Sequence, residues 1–119
     1  MRRVPASAEV ARKLERTALA AWGQEDLVED AALVITELVS NAVDHARLES
    51  IRVVVTRPSE KFVRLGVVDR SRNVPFLRTD SNGDNTRGRG LLLVDALTDR
   101  WGTDRYLWGK QVWGELKCD

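Results

Sequence analysis

The chain has 119 residues, enough to bury about two-thirds of its unfolded surface in one core without staples. Apolar residues make up 43% and charged residues 31%, a globular balance, and the formal charge is only +1, with no basic run, which argues against direct nucleic-acid binding. One cysteine, Cys118, and one histidine exclude an internal disulfide and a Cys/His zinc site; no apolar run is long enough for a membrane span or a signal peptide, so a single cytoplasmic domain over residues 1–119 is expected.

The first element is the amphipathic segment SAEVARKLERTALAAWG. Ser7 is its expected N-cap, Val10, Leu14, Ala18, Ala21 and Trp22 its apolar stripe, and Gly23 its stop. A longer helix is expected from about Gln24 to about His45, with Leu27, Ala31, Val34, Leu38 and Ala42 as its stripe and Ile35 and Val39 widening one side. The β-branched run Ile51–Thr56 and the run Phe62–Asp69 read as two strands of a hairpin joined through RPSE.

From Arg70 to Arg89 the residues predict an irregular stretch, long enough to suggest a functional one. A third helix is expected over Gly90–Gly102, with Gly102 as its C-cap. The strands DRYLW and QVWGELK, neither containing Thr, should then close a hairpin around Gly109-Lys110. This order of elements predicts an α+β fold: an antiparallel or mixed sheet covered on one face by about three helices.

Three short patterns carry potential chemistry. In ELVSNAVDHA, Glu37 and Asn41 lie one turn apart on a shoulder of the apolar stripe, at the border of the core. Asn is poor in helix interiors, so it is either an incidental polar shoulder residue or a carboxamide placed to ligate Mg²⁺ beside a Glu that could act as a base. In LGVVDRS, Asp69 ends an apolar strand. It is either a turn residue or an acceptor able to select a base bearing an amino group. In RGRGLLLV, Gly88 and Gly90 precede the third expected helix, whose N–H groups and dipole favour phosphate, with Arg87 and Arg89 adding charge; an ordinary loop-to-helix junction reads the same way. The spacing fits neither a Rossmann fingerprint nor a Walker A loop.

Taken in this order, Glu37-x-x-x-Asn41, Asp69 and Gly88-Arg89-Gly90-Leu91 resemble the E-x-x-x-N helix, the glycine box and the G-x-G-L box of the GHKL ATPases. These include gyrase, heat-shock chaperones and sensor histidine kinases. Within that superfamily the chain length is closest to the stand-alone anti-sigma-factor serine/threonine kinases. The resemblance implies a Bergerat-type two-layer sandwich binding ATP and Mg²⁺. By similarity, Glu37 is the base in phosphoryl transfer to a Ser or Thr of a partner, Asn41 holds Mg²⁺, and Asp69 reads adenine. Ser71 and Asn73, which replace the usual glycines of the D-x-G-x-G box, lie along the nucleotide, and Arg87, Gly88, Arg89, Gly90 and Leu91 form the phosphate loop. His45 matches the N-A-x-x-H-A pattern of the small members and equally suits a helix C-terminus. A sigma factor or a STAS-type anti-sigma antagonist as partner, and a homodimer, are further implications.

Two other readings stay open: a catalytically degenerate nucleotide-binding interaction module, suggested by the two lost glycines, and a plain interaction domain anchored by Trp101, Trp108 and Trp113.

Overall fold

The computed structural model describes residues 6–45, 51–70 and 86–118, with side chains at 44–45 and 86–90 left aside. Its elements run α1 (Ala6–Ala21), a 3-10 turn (Glu25–Leu27), α2 (Val28–His45), β1 (Arg52–Ser59), β2 (Phe62–Asp69), α3 (Thr86–Leu97), β3 (Arg100–Tyr106) and β4 (Gly109–Lys117). The strands form one antiparallel sheet in the order β1-β2-β4-β3, so α3 carries the chain from β2 over to β3, an edge strand. The expected α+β sandwich is what forms, and the sheet is antiparallel throughout.

Register decides which side chains meet the helices. Val63, Leu65, Val67 and Asp69 of β2 oppose Leu116, Gly114, Val112 and Lys110 of β4. A β-carbon on Gly114 would touch Val34 of α2 and Val94 and Thr98 at the end of α3, so this set of residues faces the helical layer. The core accordingly joins Ala31, Val34, Ile35, Leu38, Val39 and Ala42 of α2 to the inward residues of β2 and β4. The stripe read from the sequence for α2 is the stripe that is buried.

The opposite face of the sheet carries a polar and aromatic cluster. Glu115 accepts hydrogen bonds from Arg64 (Nε to Oε2, 2.7 Å) and from Arg100, and the Arg64 guanidinium lies 4.3 Å from the centre of the Trp113 ring. Burial alone disfavours charge on Glu115 and is the largest single effect on it. The hydrogen bonds from Arg100 and Arg64 outweigh that cost and hold its carboxyl below the usual range.

Helix α1 differs from expectation. Its buried residues are Ala8, Ala11, Glu15 and Leu19, whereas Val10 is 69% and Leu14 45% exposed. Small alanines let α1 lie close against α2 and β1, and this contact surface outweighs the larger apolar side chains when the helix is rotated into place. Ser7 lies inside the first turn rather than capping it, and its buried hydroxyl has no hydrogen-bond partner. Gly23 ends the helix as read. At φ +71° it forms a Schellman closure, with Gln24 N donating to Leu19 O at 2.8 Å and Gly23 N to Ala20 O at 3.1 Å.

Boundaries elsewhere shift in informative ways. The second helix begins as a 3-10 turn before α2 proper. Strand β1 continues through Arg57 and Pro58 to Ser59, leaving Glu60-Lys61 as the turn; a proline is tolerated there because β1 is an edge strand with a register shift between Thr56 and Ser59. Helix α3 begins at Thr86 and ends at Leu97, so Gly102 is no cap but a β3 residue facing the Trp113 ring. The last hairpin turns at Leu107-Trp108, which places Thr103 in a strand and Gly109 and Lys110 inside β4.

Candidate functional site

Helix α2 packs against β2 and against α3, so the three elements that bear the sequence patterns are in mutual contact or share this helix as neighbour. Glu37 and Asn41 both lie on it. Glu37 is half-buried. Asn41 is 7% exposed, and its Oδ1 is buried with no hydrogen-bond partner. An unsatisfied buried amide oxygen costs about 1–3 kcal/mol, so a cation or a cation-bound water placed there would relieve a standing penalty. The donor suits Mg²⁺, which prefers oxygen and takes few protein ligands when phosphates supply the rest.

Asp69 ends β2 on the helix-facing side of the sheet. It does not stand as a turn residue open to water. Lys110 is its cross-strand partner, with Nζ 3.1 Å from Asp69 Oδ1, and both residues are only 1% exposed. Lys110 was not among the residues singled out in the sequence, because Gly109-Lys110 read as the hairpin turn. Strand alternation held the missing signal: counting back by two from Leu116 through Gly114 and Val112 reaches Lys110 on the inward face.

The Gly88-Arg89-Gly90-Leu91 pattern falls inside α3 rather than ahead of it, since the helix starts at Thr86. Its 12 residues give it a dipole whose positive end lies at this pattern. Leu91 is 2% exposed, a packed residue, yet it lies outside the main core cluster that holds Val94 three residues on. The side chains of Arg87 and Arg89 and that of His45 fall outside the described residues, as do Ser71 and Asn73 entirely.

Two carboxyls with shifted protonation lie away from these positions. Glu115 is on the opposite face of the sheet. Glu15 is on α1, where burial pushes its carboxyl up to about 7 against the opposing charge of Arg16, and neither of its oxygens has a hydrogen-bond partner. A shifted pKa is a common marker of function, but these two belong to packing against α1 and to an Arg-Glu-Arg cluster.

The sequence profile of the histidine kinase-like ATPase domain matches residues 3–113. Proteins described as serine-protein kinase RsbW, from Staphylococcus aureus strains MSSA476 and JH9, are 28% identical to the chain over 123 aligned positions. The match covers 82% of the chain and 73% of each relative. Among the described residues no helix is long and apolar enough to cross a membrane. With a match spanning nearly its whole length and the expected sandwich in place, the chain belongs to the histidine kinase-like ATPase domain family.

Proposed function

We propose that the chain binds Mg-ATP between α2, the end of β2 and the start of α3, and transfers a phosphoryl group to a Ser or Thr of a partner protein. The observation that carries this reading is the buried, unpartnered Oδ1 of Asn41, one helical turn from the half-buried Glu37. Asn41 ligates the metal through that oxygen. Glu37 accepts the proton of the incoming hydroxyl, and Asp69 accepts a hydrogen bond from an exocyclic amino group of the base. The first N–H groups of α3, with Arg87, Gly88, Arg89 and Gly90, face the phosphates, and Ser71 and Asn73 border the nucleotide. Bound Mg-ATP supplies the phosphoryl group and the cation that neutralises its developing charge, so positioning is most of what the chain contributes.

Similarity to serine-protein kinases supports the kinase reading, and the motif resemblance to anti-sigma-factor kinases points to an anti-sigma antagonist as protein substrate and a sigma factor as sequestered partner. A second reading, nucleotide binding without transfer, is favoured by Ser71 and Asn73 standing where family glycines are usual. Calorimetric titration with Mg-ATP and Mg-GTP, followed by radiolabelled transfer to STAS-type antagonists, tests both. Adenine-selective binding that weakens in Asn41→Ala, with transfer abolished in Glu37→Ala, supports the kinase. Binding without transfer to any antagonist supports the second reading, and no binding at all rejects both.

A further inference from the structure

The sheet has two edge strands, and only one of them carries features that discourage a further strand. β1 contains Pro58 and loses register between Thr56 and Ser59. β3 has neither feature: Arg100–Tyr106 pairs residue for residue with β4, and among the described residues no strand lies on its outer side. Tyr106 and Gly109 flank a two-residue turn as a hydrogen-bonded pair, so by alternation Gly102 and Asp104 also turn their N–H and C=O groups towards β4. Those of Trp101, Thr103 and Arg105 point to the open edge. The charges along this edge complement one another. With a two-fold axis perpendicular to the sheet at Gly102, antiparallel pairing of two β3 strands sets Arg100 opposite Asp104 of the second copy, and Asp104 opposite its Arg100. The same register sets Arg105 opposite Asp99, whereas centring the axis on Trp101 or Thr103 produces neither match. Asp104 is exposed and has no ion-pair partner among the described residues. Arg100 directs Nε at Glu115, and its side chain remains 61% exposed.

We propose that the outer edge of β3 is an interaction surface for a second copy of this chain, the two sheets joining in the register centred on Gly102. Trp101 and Thr103 then exchange backbone hydrogen bonds across the join, and Arg100 and Asp104 form close non-hydrogen-bonded pairs on the face away from the helices. Each hairpin tip runs past the start of the opposite β3. That gives Leu107, 92% exposed, and Trp108, 55% exposed and stacked on Tyr106, a surface to lie against. Family membership supplies neither this surface nor this register, and no residue of the nucleotide reading takes part.

The test is sedimentation velocity of the full chain over a range of concentrations, with melting curves confirming the fold of each variant. The wild type should form a two-chain species. Asp104→Arg, a change at an exposed position, should raise its dissociation constant about ten-fold or more, because favourable cross-strand pairs become repulsive ones. Register is read by disulfide trapping in a Cys118→Ala background, which removes the native thiol. Chains carrying Arg100→Cys and chains carrying Asp104→Cys, mixed and oxidised, should cross-link to each other, since directly opposed non-hydrogen-bonded residues lie within disulfide reach. The mixed pair also keeps its second Arg100–Asp104 contact. Either variant alone should stay uncross-linked, because its cysteines are offset along the join by roughly 13 Å. A wild type that remains a single chain at every concentration overturns the proposal, as does an Asp104→Arg variant that associates as tightly as the wild type. Trapping within one variant as efficient as in the mixture overturns the register and the pairing built on it. If Arg100→Cys does not fold, the sedimentation comparison alone decides.

Discussion

Gly109 lies so close to Asp69 that a β-carbon at position 109 would fall onto the Asp69 backbone carbonyl. The glycine is therefore a condition for β2 and β4 to pair at the end where Asp69 and Lys110 meet. Gly109→Ala should force these strand ends apart and destabilise the fold by about 2–3 kcal/mol, the scale of overpacking in a tight interior. Urea denaturation measures this, and a change within about 0.5 kcal/mol, the range of surface substitutions, would show that the strands separate without cost.

Asn41 should show opposite effects on folding and on binding. Replacing it with Ala removes a buried oxygen that has no partner in the free protein. Asn41→Ala should thus be neutral or slightly stabilising in thermal melts without nucleotide, while losing the extra stability that Mg-ATP confers on the wild type. A marked loss of stability in the nucleotide-free melt would mean that the carboxamide is a structural residue.

The buried carboxyl of Glu15 makes stability depend on pH in an unusual direction. Its pKa rises from an unfolded value near 4.5 to about 7 in the fold, because burial disfavours its charge. Between these values the folded state binds more protons than the unfolded one, so this contribution is complete below pH 4.5 and is lost as pH rises through 7. Glu15→Gln should remove that slope and stabilise the protein at pH 8 by on the order of 1–2 kcal/mol, a rise of a few degrees in Tm. Melts across pH 5–8, roughly the window of the shift, decide it; an unchanged slope in the variant would assign the effect to another group.

Glu115 acts with the opposite sign. Its lowered pKa gives stability that is present above the ordinary carboxylate range and lost as pH falls through the depressed value. Glu115→Gln should lower Tm at neutral pH by a few degrees and flatten the acid side of the stability profile, because Arg64 and Arg100 lose the negative charge they share and one of its two acceptor oxygens becomes an NH2 donor. Equal acid sensitivity in variant and wild type would place the labile carboxylate elsewhere.

Much of this was legible from residues alone, for reasons specific to each element. Helix α2 could be read because Ala31, Val34, Ile35, Leu38, Val39 and Ala42 recur at helical spacing and all bury. Its Asn41 stood out because the carboxamide is unfavourable in a helix interior. Helix α1 misled because its buried face is built from Ala8, Ala11, Glu15 and Leu19, while Val10 and Leu14 point outward. Counting hydrophobicity weights side-chain size, and close helix approach weights smallness. The last hairpin misled because a Gly-X pair is a turn signal, whereas Gly109 is required by a neighbouring strand that local sequence does not reveal.

Local chemistry, then, determined the elements and the family: periodicity for α2, β-branched runs for β1 and β2, and the ordered appearance of Glu37, Asn41, Asp69 and Gly88-x-Gly90. Only the tertiary structure decided which face of α1 is buried, that Asn41 keeps an unpartnered oxygen, and that Asp69 shares its place with Lys110. Those facts arise from contacts between residues distant in the chain, as with 69 and 110, and such contacts depend on strand register and helix rotation rather than on any short stretch of sequence.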